Sequence, residues 1–94
     1  MKDTEELIKD LKHKDDSVRR HTIEMLGIMG SEKAVDALIQ VLKDKNRFVR
    51  QEAITSLGNI GGERVVESLT QALGEEKDEF VQDSLRKVLE KLRK

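Results

Sequence analysis

The side chains best suited to hold a metal ion are two histidines, His13 and His21, because the chain contains no cysteine. Structural and catalytic metal sites take three or four protein ligands, which His21 and scattered carboxylates cannot supply. The sequence therefore predicts no metal site. We expect His21 to lie on a solvated or edge-packed helix face and His13 to lie in a loop.

Motifs for covalent catalysis and nucleotide binding are also missing from the sequence. It contains no Gly-x-Ser-x-Gly elbow, no phosphate-binding loop and no dinucleotide fingerprint. The Gly61-Gly62 pair is typical of a turn between helices, and no serine or threonine has a His/Asp constellation around it. We therefore expect no catalytic residue and no cofactor, in a protein that is not an enzyme.

The composition indicates a polar surface over a small core, with 39% charged residues, 36% hydrophobic residues and a net charge of −1. Acidic and basic side chains are evenly mixed, and Phe48 and Phe80 are the only aromatic residues, which argues against nucleic acid as a partner. No run is apolar enough for a membrane helix or a signal-peptide core. With no cysteine to form disulfides, the expected location is the cytoplasm.

The chain repeats itself at a constant offset of 31 residues, with residues 18–30 lying over residues 49–61. The next segment keeps this register, because Val35, Leu38 and Leu42 match Val66, Leu69 and Leu73. A fixed period of this length is typical of stacked-repeat proteins. Such solenoids usually offer surfaces for binding rather than pockets for chemistry.

Apolar residues recur every three or four positions along the whole chain, which predicts helices throughout. The six predicted helices cover residues 3–13, 16–29, 32–44, 47–60, 63–74 and 79–93. We call the second, fourth and sixth the A helices, since they share an Asp/Asn-x-x-Val start, and the other three the B helices. The predicted N-caps are Asp15, Asn46 and Asp78 for the A helices and Ser31 for the third helix, while Gly30 and Gly61 end two A helices.

Two kinds of residue recur inside the A helices. Gly27 and Gly58 each cost about 1 kcal/mol relative to alanine, so their recurrence predicts close packing of a neighbouring helix. Arg19 and Arg50 follow the first valine, and their side chains could either bind a partner or join neighbouring repeats. We favour the second role, a ladder that reaches acidic groups in the turns such as Asp16 or Asp44.

These residues resemble the HEAT-like repeats of the phycobilisome-lyase (PBS lyase) type. The resemblance lies in residues 15–19, 25–30 and 34–39, and again in residues 46–50, 57–61 and 65–69. It implies an all-α fold, a right-handed α-α superhelix (a HEAT/armadillo-like solenoid) of about six antiparallel helices with a repeat of about 31 residues. Tetratricopeptide and ankyrin repeats have similar periods, but their signature residues are missing here.

The resembled class includes scaffolds, chromophore lyase subunits and a metal-dependent hydroxylase. The hydroxylase members bind iron through His-Glu pairs in their A helices, but the matching positions here hold Arg20-His21 and Gln51-Glu52. The resemblance therefore implies no iron site in this chain.

We expect one domain over residues 1–94, built as an N-terminal half repeat (1–14), two repeats (15–45 and 46–77) and a C-terminal capping helix (78–94). The B helices should present their outer face as the concave surface of the stack, where solenoids commonly bind. Helical spacing places eleven candidate protein-binding residues there: Glu5, Ile8, Lys9, Lys12, Asp36, Ile39, Gln40, Lys43, Glu67, Thr70 and Gln71. The alternative is a plain solvated face with two marginal core isoleucines.

The leading functional hypothesis is a non-catalytic protein-interaction or scaffold module whose partner is another protein. One alternative is an accessory subunit or chaperone-like partner of a lyase or metalloenzyme, and a further one is nucleic-acid binding, which lacks a cationic groove. A third is self-assembly, since Leu7 and Leu11 in the half repeat should be covered on one side only. We expect a monomer or weak self-association, with no membrane contact.

Overall fold

A computed structural model describes residues 2–94, and in this range it contains six helices and no strand. They are α1 (Thr4–Asp10), α2 (Asp16–Met29), α3 (Glu32–Val41), α4 (Arg47–Ile60), α5 (Glu63–Glu75) and α6 (Glu79–Leu92). The predicted all-α fold class is confirmed. The A helices are α2, α4 and α6, and the B helices are α1, α3 and α5.

Two B helices end earlier than the apolar pattern predicts. The expected ends were residues 13 and 44, whereas α1 ends at Asp10 and α3 ends at Val41. The chain continues for three residues in a tighter turn, in which the backbone N–H of Asp44 donates to the carbonyl of Val41 at 2.9 Å. Such i to i+3 hydrogen bonds commonly satisfy the last carbonyls of a helix, so the apolar spacing continues beyond the helix itself.

The predicted N-caps are confirmed by hydrogen bonds from the first turn of each helix. Asp15 accepts from the N–H of Ser17 at 2.8 Å, and Asp78 accepts from the N–H of Val81 at 3.1 Å. Asn46 and Ser31 do the same for α4 and α3. Gly30 ends α2 in the left-handed conformation with φ of 61°, which favours a residue without a side chain.

The A helices pack side by side, and the glycines inside them explain how closely. A Cβ atom added at Gly27 would lie 2.7 Å from the Cβ of Ser56, and one added at Gly58 would lie 2.6 Å from Cγ1 of Val88. The predicted packing role of both glycines is therefore confirmed. Glu90, at the same repeat position in α6, is exposed.

The arginine ladder links an A helix to the turn that leads into the next A helix. Its acceptors lie in these turns, which follow the B helices. Arg19 donates to both carboxylate oxygens of Asp44 at 3.0 and 3.3 Å, with both side chains largely buried. Arg50 makes the same pair of bonds to Glu76 at 3.0 and 3.2 Å. The ladder is confirmed with Asp44 as the acceptor, while Asp16 instead accepts from the Asn46 amide at 2.7 Å.

The core lies between the two layers, and α4 contacts α2, α3, α5 and α6. Fully buried side chains in both layers fill it, including Ile23, Leu26, Leu38, Ile54, Leu57, Leu69 and Leu85. Leu7 in α1 is only 6% exposed, so the apolar face that motivated self-assembly is covered at this residue. Met29, the last residue of α2, is 43% exposed.

Candidate functional site

The predicted binding residues lie on the three B helices and on the tighter turns that follow α1 and α3. Nine of them are exposed, whereas Ile8 and Ile39 pack partly against the core. The exposed ones are Glu5, Lys9, Lys12, Asp36, Gln40, Lys43, Glu67, Thr70 and Gln71. Their role in binding stays a prediction.

Thr70 is the ninth exposed residue of this set, and it lies on α5 where α1 and α3 carry Ile8 and Ile39. Its hydroxyl accepts a hydrogen bond from Arg93 at 3.2 Å and donates one to the Val66 carbonyl at 2.7 Å. The third B helix therefore carries a polar residue at the position of the two isoleucines, and its hydroxyl is already hydrogen-bonded within the molecule.

Three acidic residues, Glu5, Asp36 and Glu67, recur at the same repeat position of the B helices, and we call them the acidic row. Two of them form ion pairs within the molecule. Glu5 of α1 forms an ion pair with Lys33 of α3, and Asp36 of α3 forms one with Arg64 of α5. The carboxylate of Glu5 raises the pKa of Lys33 through this hydrogen bond. Within residues 2–94, Glu67 is the member of this row that has no ion pair.

A groove of about 480 Å³ runs between α3 and α5, and we call it the α3–α5 groove. It brings together four of the predicted residues, Ile39, Gln40, Lys43 and Gln71, but not those on α1. The other lining residues were not predicted as binding residues: Leu42, Asp44, Arg50, Ser68, Ala72, Glu75, Glu76 and Lys77. The groove therefore covers the part of the B-helix face formed by α3 and α5, without α1.

The groove has an apolar part between the helices and a charged end at the turns. Ile39, Leu42 and Ala72 are half-buried and pack against the core, so their outer surfaces form an apolar wall. At the other end, Glu76 is held by Arg50, whose Nη1 also donates to the Asp44 carbonyl at 2.8 Å. The ladder therefore forms a fixed, hydrogen-bonded boundary to the groove.

A second surface feature, on the A helices, was not predicted from the sequence. The rings of Phe48 and Phe80 meet edge to face with centroids 5.8 Å apart. The Arg47 guanidinium lies 5.6 Å from the first centroid and 4.9 Å from the second, and it donates to Asp78 at 3.1 Å. The signal in the sequence was the position of each phenylalanine two residues after an N-cap.

This cluster ties α4 to the first turn of α6, and it affects the cap of α6. Burial favours the neutral form of Asp78, but the Val81 N–H and the Arg47 guanidinium outweigh it and lower the pKa of this carboxyl below its ordinary value. The two rings contact each other and the Arg47 guanidinium. These contacts link neighbouring A helices, so a structural role is enough to explain the cluster.

The histidines and carboxylates of residues 2–94 include no group of three that could hold a metal ion. His13 lies in the turn after α1, where its Nδ1 accepts from the Asp15 N–H at 3.0 Å. Asp44 and Glu76 accept from Asn46 and Asp78 in the same way in the later turns. His13 therefore fills the repeat position of the two ladder carboxylates, and His21 is exposed on α2.

Comparison with known proteins gives a family over nearly the whole chain. The sequence matches the family of HEAT repeats over residues 4–90. No curated protein matches the chain significantly. None of the helices within residues 2–94 is both long enough and apolar enough to cross a membrane.

Proposed function

The chain belongs to the HEAT-repeat family, and we propose that it is a non-catalytic module that binds another protein through its B-helix face. HEAT repeats commonly mediate interactions between proteins. The observation that carries the proposal is the α3–α5 groove, which lies on that face and contains four residues of the predicted set. The finer assignment to the phycobilisome-lyase type belongs to the same proposal and rests on the resemblance of residues 15–19, 25–30 and 34–39 and of their counterparts in the second repeat.

The packing supports a rigid binding surface. The A helices approach each other at Gly27 and Gly58, and the two arginine bridges fix the turns after α3 and α5. Within residues 2–94, every buried side-chain nitrogen or oxygen has a hydrogen-bond partner. A surface that is already ordered loses little conformational entropy when it binds. We further propose a single repeat domain, divided as the 31-residue period predicts.

The test is a pull-down that compares the two faces of the molecule. The B-face variant carries Gln40→Arg, Lys43→Glu and Gln71→Arg, and its matched control carries Thr55→Arg, Asn59→Arg and Lys87→Glu on the A helices. All six positions are exposed, so both variants should keep the helical circular dichroism of the wild type. We expect a protein retained by the wild type and the control to be lost by the B-face variant.

Loss of the partner from the A-face control alone would transfer the binding surface to the A helices. Retention of the same protein by all three forms would place it outside both faces. If no protein is retained by the wild type, the proposed function is contradicted, and light scattering at high concentration then tests self-assembly.

A further inference from the structure

One wall residue of the α3–α5 groove is smaller than its counterpart in the preceding repeat. Ala72 of α5 occupies the position that Val41 occupies in α3, 31 residues earlier. Val41 is 8% exposed and fills its place in the core, whereas Ala72 is half-buried and lines the groove. The difference between valine in α3 and alanine in α5 therefore distinguishes a filled core position from an open one.

The volume and the shape of the groove limit what can enter it. Its volume of about 480 Å³ falls within the range of about 300–1,000 Å³ that ligand sites occupy. Packed helices lie about 8–10 Å apart, whereas a helix with its side chains is about 10–12 Å wide. A further helix would therefore lie across α3 and α5 rather than enter between them. An extended peptide segment fits this space better.

The two glutamines on the walls suit the backbone of such a segment. Gln40 belongs to α3 and Gln71 to α5, at the same repeat position. A side-chain amide carries two donors and an acceptor, so it can pair with both the N–H and the C=O of a peptide group. Neighbouring helix axes about 8–10 Å apart correspond to roughly three residues of extended chain. Both amides can therefore contact one continuous segment.

The charges in the groove favour an acidic segment. Asp44 and Glu76 are neutralised by Arg19 and Arg50 through the ladder. Among the groove-lining side chains of residues 2–94, the remaining groups without an ion pair are Lys43, Lys77 and Glu75. Two cations against one anion leave the open end of the groove positive, next to the apolar wall formed by Ile39, Leu42 and Ala72.

From these observations we infer that the α3–α5 groove binds an extended peptide segment of a partner protein, with aliphatic side chains on the apolar wall and carboxylates at Lys43 and Lys77. This inference rests on the proposed function and specifies the partner of the same face. Affinity comes from burial of the aliphatic side chains, while the lysines select for acidic sequence.

The test uses a displayed library of random 12-residue peptides, selected on the wild-type protein and on Ala72→Val. Valine at this position narrows the apolar part of the groove, and α3 already carries Val41 at the same repeat position, so the variant should fold normally. Ala37→Ser is the matched control, because α5 carries Ser68 at the same repeat position and Ala37 does not line the groove. Affinities of the selected peptides are then measured by calorimetry for all three proteins and for the Lys43→Glu, Lys77→Glu double variant.

We expect the wild type to enrich peptides rich in Asp, Glu and aliphatic residues. Ala72→Val and the double lysine variant should each weaken their binding by about tenfold or more, while Ala37→Ser should change it little. Binding that is unchanged in Ala72→Val overturns the groove as the site. Enrichment of basic peptides overturns the assigned charge, and failure of the wild type to enrich any peptide overturns the extended segment.

The pull-down with the B-face variant separates these failures from a failure of the proposed function. A partner that is lost by that variant and kept by Ala72→Val would leave the exposed side chains of the B-helix face as the binding surface and reject insertion of a segment against the apolar wall of the groove. A partner that binds only as a folded domain, and not as any peptide, would likewise reject the extended segment alone.

Discussion

The A helices and the B helices recur with the same period, yet the contacts within the two layers differ in kind. In the A layer, Gly27 and Gly58 bring neighbouring helices together, and Arg19 of α2 is bridged to Asp44, in the turn before α4, with side chains only 6% and 13% exposed. Between B helices, the Asp36–Arg64 pair is 58% exposed on both sides, and a groove separates α3 from α5. The recurring residues of the A helices therefore pack that layer tightly, whereas those of the B helices leave an accessible surface.

The largest expected effect comes from breaking the buried ladder. Arg19→Met removes the partner of Asp44 and two hydrogen bonds to the carbonyls of His13 and Lys14. Loss of one member of a buried ion pair costs about 3–5 kcal/mol, so we expect the free energy of unfolding to fall by about 3 kcal/mol. Urea unfolding followed by circular dichroism measures this change.

The matched control for this variant is Arg64→Met, which breaks the exposed pair with Asp36. Exposed ion pairs contribute about 0–1 kcal/mol, so the control should remain close to the wild type. Equal losses in the two variants would contradict the contrast between the layers.

The next effect concerns the glycines. In Gly27→Ala the new methyl group would lie 2.7 Å from the Cβ of Ser56, an atom that cannot move without its backbone. Overpacking of this kind costs about 1–3 kcal/mol. Gly74 of α5 has no atom within 4 Å of an added Cβ, so Gly74→Ala should instead stabilise the protein by about 0.5–1 kcal/mol. Thermal unfolding of both variants tests the opposite signs, and destabilisation by Gly74→Ala would contradict the open surface at this position.

The smallest effect is a pH dependence at the cap of α6. The folded-state pKa of Asp78 is lowered, so its ionised form contributes stability above the unfolded pKa, which is about 3.9. That contribution is lost as the pH falls through the folded value. Asp78→Asn keeps a cap of the type that Asn46 provides for α4 but cannot titrate.

We therefore expect the wild type to lose its advantage over Asp78→Asn as the pH is lowered below about 4. Unfolding curves at a series of pH values measure the difference between the two proteins. A difference that stays constant with pH would show that the ion pair with Arg47 adds nothing to the cap.

Much of the fold was predictable because the signals that define it are local. The N-caps, the apolar spacing and the glycine ends each depend on residues within one or two turns, and all six predicted helices are present. The ends of α1 and α3 were predicted too late, because Leu11 and Leu42 continue the apolar spacing through a tighter turn. The role of Gly27 and Gly58 was predictable because both repeats retain a costly residue.

The candidate site was predictable only in outline. Helical spacing selected the face that contains Ile39, Gln40, Lys43 and Gln71, but nothing in it separated these residues from Glu5 or Lys12 on α1. The acidic positions Glu5, Asp36 and Glu67 also looked equivalent until the ion pairs of Glu5 with Lys33 and of Asp36 with Arg64 were known. The Phe48–Phe80 contact was missed because each ring belongs to a different A helix.

By itself the sequence determined the repeat, the helices and the recurring arginine and glycine positions, since period, capping and spacing are properties of neighbouring residues. Only the tertiary structure decided that Arg19 pairs with Asp44 rather than Asp16, and that Ala72 leaves a groove where Val41 fills the core. The physical reason is that an ion pair and a cavity both depend on distances between residues far apart in the chain. Those distances are set by how the two layers pack.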